Sequence, residues 1–126
     1  MINIKYIFGK YIREKREKLL KGDKQFSLRQ VAQRIGIEPS YLSKIERGQE
    51  VTLSEEKTIS LATEIKEDPD VLLALSGKVS SDIQEIIRKR PQLFTQLIRE
   101  LKGLPDQAVL RVVREVSERY NGEANG

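Results

Sequence analysis

Cysteine, histidine and tryptophan are absent from the 126 residues. Without cysteine there is no disulfide framework, no thiol nucleophile and no thiolate metal site. Without histidine the usual zinc sites and imidazole acid–base chemistry go as well. No apolar run approaches the roughly 18 residues of a membrane-spanning helix. The opening MINIKYIFGK lacks the apolar stretch and small-residue cleavage site of a secretory signal. No segment carries the alternation and turn chemistry of a sheet. These absences predict an all-α, cytoplasmic, non-enzymatic protein with no metal and no cofactor.

What is present is charge, unevenly placed. Lys and Arg number twelve against six Asp and Glu in residues 1–50, net +6; three against six in residues 51–78, net −3; and eight against seven in residues 79–126, net +1. A basic N-terminal part points to an acidic polymer as partner.

Apolar residues at helical spacing place a first helix at about Lys5 to Leu20, with Phe8, Tyr11, Ile12 and Leu19 on one face. KGDKQF is a turn, and SLRQ pairs Ser27 as N-cap with Gln30 in a capping box. The second helix turns Leu28, Val31, Ala32 and Ile35 inward and stops at Gly36. The third lies within IEPSYLSKIERGQ, residues 37–49, opened by Pro39 and closed by Gly48. A loop follows, then a fourth helix from Leu53 or Ser54 to Ile65, with Thr52 and Glu55 as a second capping box. Val71, Leu72 and Leu75 make a short fifth helix ending near Gly77.

Beyond it, Ser80 or Ser81 caps a helix with Ile83, Ile86 and Ile87. Pro91 starts one with Leu93, Phe94, Leu97, Ile98 and Leu101, and Pro105 starts a last one with Val109, Leu110, Val113, Val116 and Tyr120. Three such stripes are too little core for a comfortable independent domain. They must pack on the first unit or on another copy of the chain, and the homodimer is the favoured reading. The domains expected are 1–77, 78–121 for dimerisation or interaction, and a flexible tail at 122–126.

The second helix, a turn on Gly36 and the third helix have the spacing of a helix-turn-helix. Ala32 is small enough for the two helices to approach, and Gly36 can take the positive φ of the turn. The outer face of the third helix is then free to enter a DNA major groove. Ser40 and Lys44, four apart, share that face. Lysine can donate to guanine O6 and N7, and serine can pair with several bases.

SLRQVAQRIGIEPSYLSKIERGQ, preceded by YIREKREKLL and followed by LSEEKTISLATEI, resembles the Xre-like helix-turn-helix family of lambda repressor and Cro. The resemblance covers about residues 8–75. It implies a five-helix DNA-binding domain that binds double-stranded operator DNA as a dimer and regulates transcription. It places Pro39, Ser40, Ser43 and Lys44 toward the groove, and Tyr41 and Arg47 at its margins, where phosphate contacts set position. It puts Ser27, Arg29 and Gln30 near a phosphate at the start of the second helix. Relatives often carry glutamine where this chain has Leu28, so a phosphate contact there is lost or moved to Arg29. The longer KGDKQF turn makes Lys21 and Lys24 further backbone contacts. Arg16 and Glu46 match a partly buried ion pair that ties the first helix to the third.

Competing readings are weaker. Ser54-x-x-Lys57 has the spacing of a serine–lysine nucleophile pair, but no supporting motif accompanies it and serine is the expected cap there. RKR at 88–90 reads as a solvated helix end. The expected function is a nucleoid-associated transcriptional regulator, a repressor on a near-palindromic operator. The alternative is an antitoxin-like or peptidase-controlled interaction protein, whose C-terminal helices bind a partner protein and whose DNA binding is autoregulatory.

Overall fold

The computed structural model describes residues 3–49 and 52–121. The expected tail at 122–126 and two residues of the loop after the third helix lie outside them. Among the described residues there is no strand, and the chain is all-α. Its helices are α1 Ile4–Leu20, α2 Leu28–Ile35, α3 Pro39–Glu46, α4 Glu55–Glu64, α5 Pro69–Leu75, α6 Ser81–Lys89, α7 Pro91–Leu101 and α8 Asp106–Val116. None that is described is long and apolar enough to cross a membrane.

Local chemistry sets the ends of these helices. Asn3 caps α1 by accepting from the Tyr6 N–H. Ser27 Oγ accepts from the Gln30 N–H at 3.2 Å, one arm of the expected capping box. The return arm has no donor to meet. The Ser27 N–H already bonds Lys24 O at 3.2 Å, closing a 3-10 turn, Lys24–Phe26, inside the KGDKQF segment.

The box expected of Thr52 and Glu55 does not form. Ser54 is the cap of α4, accepting from the Lys57 N–H at 3.1 Å. Thr52 stands two residues too early to reach those N–H groups. Glu55 instead accepts from the backbone and hydroxyl of Ser81 at 3.0 and 2.8 Å. Pro39 and Pro69 occupy first-turn positions, where a missing N–H leaves nothing unpaired.

The chain divides into two compact units, Met1–Asp82 and Ile83–Gly126. In the first, Ile12, Val31, Leu42, Leu61, Ile65 and Leu72 are fully buried in one core formed by α1 to α5. Leu73, not Val71, supplies the other inward side chain of α5: Leu73 is 1% exposed and Val71 43%. A seven-residue helix holds too few apolar positions for spacing alone to set which side faces in. Residues beyond α5 remain bound to this unit. Lys78 Nζ donates to Leu53 O at 3.3 Å, Ser80 is buried, and Ser81 is held by Glu55. Ser81 is therefore the first helical residue of α6 rather than its cap.

In the second unit Pro91 opens α7 as expected, while Pro105 sits one place before α8 as its N-cap. A π-helical turn, Ser117–Asn121, extends α8. No residue of α6, α7 or α8 is buried.

Candidate nucleic-acid interface

Two short helices and the turn between them build the site. Gly36 sits at φ 76°, where a residue with a Cβ is strained. Its N–H bonds Gln33 O at 3.2 Å and the Ile37 N–H bonds Ala32 O at 3.0 Å, ending α2 in a Schellman motif. Ala32 is fully buried where the two helices meet. A further tie comes from α4: Lys57 Nζ donates to Ile35 O at 2.8 Å, satisfying a carbonyl at the end of α2 and placing a cation at its negative pole. Lys57 is thus a clamp on the turn. The sequence gives no sign of that role, because the bond spans 22 residues. The same bond holds its ammonium on α2, while Ser54 Oγ is used on a backbone N–H.

Leu42, Ile45 and Glu46 are the buried face of α3. Arg16 Nε and Nη2 donate to the two oxygens of Glu46 at 2.7 and 2.9 Å, and Arg16 Nη1 donates to Phe26 O at 3.1 Å. The pair is 5% exposed on each side, more deeply buried than the resemblance implied. The bond to Glu46 raises the already high pKa of Arg16, and burial opposes it only in part, so the guanidinium stays charged. One side chain on α1 therefore holds both α3 and the turn that leads into α2.

Close backbone approach adds to this. A Cβ on Gly9 would stand 2.1 Å from Ile45 O, so α1 and α3 touch main chain to main chain. That glycine carries no warning in the sequence, where it reads as an ordinary helical residue.

The opposite face of α3 is open. Ser40, Lys44 and Arg47 are exposed; Pro39, Tyr41 and Ser43 are half-buried. Arg47 Nη1 donates to Ser43 Oγ at 2.8 Å, joining a residue assigned to the groove with one assigned to its margin. The Tyr41 hydroxyl donates to Thr52 O and so holds the segment after α3. Tyr41 has its phenol committed to the protein, a use that its place in the sequence does not indicate. At the start of α2, Arg29 and Gln30 are exposed and Ser27 is half-buried. Leu28 packs against the core and offers nothing to a phosphate. Lys21 and Lys24 are exposed just upstream. Among the described residues no group of three or more His, Cys, Asp or Glu could hold a metal ion.

Comparison with known proteins agrees with this geometry at the level of the domain. A family model described as a helix-turn-helix domain matches residues 10–78, from the middle of α1 to just past α5. No curated protein and no solved structure matches the chain.

Proposed function

On the premise that the chain belongs to the helix-turn-helix domain family and is a DNA-binding regulator, we propose that it is an Xre-like transcriptional repressor, acting on the nucleoid as a homodimer bound to a near-palindromic operator. The observation that carries this reading is α3 itself. Its apolar and acidic side is locked into the core, while Ser40 and Lys44 stand exposed on one face. A helix so held can enter a major groove without rearranging. Two copies would set two such helices about 34 Å apart, in successive grooves on one side of the duplex.

In this reading Lys44 donates to guanine O6 and N7, with Ser40 beside it. Pro39 orients the first turn, and Ser43 steadies the Arg47 guanidinium through its hydroxyl. Arg47 then reaches a phosphate at the margin of the groove, and Tyr41 sets the loop that follows. Ser27, Arg29 and Gln30 face a second phosphate at the start of α2. Repression follows by occlusion wherever the operator overlaps a promoter.

Genome-wide mapping of bound sites would yield the operator and its half-site spacing. Against that operator, Lys44→Ala should weaken binding by about 1–3 kcal/mol and relax preference at one base position. Arg29→Ala should weaken all sequences about equally and reduce the salt slope by about 1. Unchanged operator affinity in Lys44→Ala would remove α3 from the reading role at that residue.

A further inference from the structure

We propose that α6, α7 and α8 form a folded unit only when two copies of the chain associate, so that the protein's own concentration switches its C-terminal segment between a disordered monomer and a helical dimer. The proposal rests on the homodimer reading above and adds that folding and assembly are one step.

Three observations carry it. Helices α6 and α7 are 9 and 11 residues long, below the about 12 residues at which even good helix-forming sequences begin to stand alone in water, and α8 has 11 residues continued only by the five-residue π-helical turn. None of their residues is buried: six, among them Ile83, Ile87, Phe94 and Val109, are half-buried and the rest are exposed. Yet their apolar residues are organised into stripes. Ten large apolar or aromatic side chains between Ile86 and Tyr120 are more than a third exposed, among them Leu93 at 64%, Ile98 at 56% and Val113 at 57%. In the first unit, α2, α3 and α5 are shorter still, at 8, 8 and 7 residues, but each buries at least two of its residues.

The size and charge of the surface identify the occupant as a second copy. Those ten side chains expose on the order of 900 Å² per chain, close to the roughly 800 Å² that each partner contributes to a standard stable interface. Both signs of charge flank the stripes: Arg99 adjoins Glu100 on α7, and Arg114 adjoins Glu115 on α8, with Glu118 and Arg119 one turn on. A two-fold partner presents the same mixed set and can oppose each cation with a carboxylate. A uniformly anionic surface, such as an acidic lipid bilayer, would leave those glutamates facing like charge. With neither a covering surface nor a core of its own, the lone segment cannot offset the conformational entropy of ordering its residues.

The expected consequence is an operator affinity that falls away steeply as the chain is diluted, because dimer formation and C-terminal order are lost together.

The test uses the full chain without DNA, from nanomolar to about 100 µM. Sedimentation gives the dimer fraction, far-UV circular dichroism the helix content, and amide hydrogen exchange the location of order. Helix content should fall with the same midpoint as dimer fraction, by about two-fifths if α6 to α8 all melt. In the monomer their amides should exchange freely while those of α1 to α5 stay protected. The full-length double variant Leu97→Asp/Val113→Asp should be monomeric throughout, unprotected over α6 to α8 and unchanged over α1 to α5. A monomer with protected α6 to α8 would overturn the proposal, since those stripes would then be covered within the chain. A chain that stays monomeric and unprotected at 100 µM would overturn it too, giving the surface to a different partner. Neither result touches the DNA reading, which fails separately if the wild-type protein binds no specific site.

Discussion

Arg16 shows how one side chain can decide whether a domain holds its working shape. It donates three hydrogen bonds, two to Glu46 on α3 and one to Phe26 O, and lies 5% exposed. A buried ion pair of this kind is costly to desolvate, and its net gain over an apolar pair is small. Losing one partner is another matter, because the remaining charge is stranded away from water. Arg16→Ala should therefore lower unfolding free energy by about 3–5 kcal/mol, measurable by urea denaturation. The double change Arg16→Met/Glu46→Leu should recover much of that loss, since it leaves no orphaned charge. Operator affinity need not recover with it, because the bond to Phe26 O that helps set the entry to α2 is gone. A comparable logic holds at Lys57, whose ammonium ends α2 from across the fold. The resemblance already paired Arg16 with Glu46, 30 residues away, but not with Phe26 O; at Lys57 only the residue type was legible, and its partner 22 residues away was not.

Helix α3 has eight residues and cannot persist by its own propensity. It is held by Leu42 and Ile45 in the core, by Glu46 on Arg16 and by direct contact with α1 at Gly9. The Gly9 contact makes a sharp prediction. Any Cβ there meets Ile45 O at 2.1 Å, and neither helix can give way without disturbing the other. Gly9→Ala should destabilise the domain by about 1–3 kcal/mol or more, although alanine is the better helix former. It should also weaken operator binding by moving α3. A stabilised or neutral variant in thermal denaturation would show that the two backbones are less tightly joined. Where capping or proline chemistry is local, as at Ser27, Pro39 and Pro91, the helix starts could be read directly from the residues. Where two serines or threonines compete, as Thr52 and Ser54 do, the sequence admits both, and the fold chooses by which backbone N–H groups lie in reach. The same holds for Val71 and Leu73 on α5.

Taken as one molecule, the chain has no histidine, and apart from Arg16, whose guanidinium stays charged, the groups that shift are two carboxylates and a phenol. The Tyr11 hydroxyl, the Asp68 N–H and Lys15 all donate to Glu67, and these bonds, Tyr11 foremost, hold Glu67 below the ordinary carboxylate value of 4.5. The Ser81 backbone and hydroxyl do the same for Glu55. Tyr11, tied to Glu67 and partly desolvated, is raised above its usual 10.0. A carboxylate with a lowered folded pKa contributes stability that is fully present above its unfolded value. That contribution is lost as pH falls from there through the folded value. A phenol with a raised folded pKa contributes stability below its unfolded value, which is lost as pH rises through the folded one. Melting temperature should then be flat from about pH 5.5 to 9, fall on the acid side and fall again above about pH 10. Glu67→Gln should lower the neutral plateau and blunt the acid-side fall. A marked titration near pH 6.5 would contradict this account.

By itself the sequence determined the all-α class, the order of the helices, the glycine turn between α2 and α3, and the polar set on α3 that a groove could meet. Those features rest on chemistry within four or five residues: helical spacing, caps, proline at a first turn and glycine at positive φ. Tertiary structure alone decided that Gly9 is a contact point, that Arg16 also holds Phe26 O, that Lys57 and Tyr41 serve the fold, and that no residue of α6, α7 or α8 is buried. Each of these depends on which distant groups the fold brings within a few ångströms, or fails to bring. Periodicity shows that a face is apolar; only packing shows whether anything lies against it.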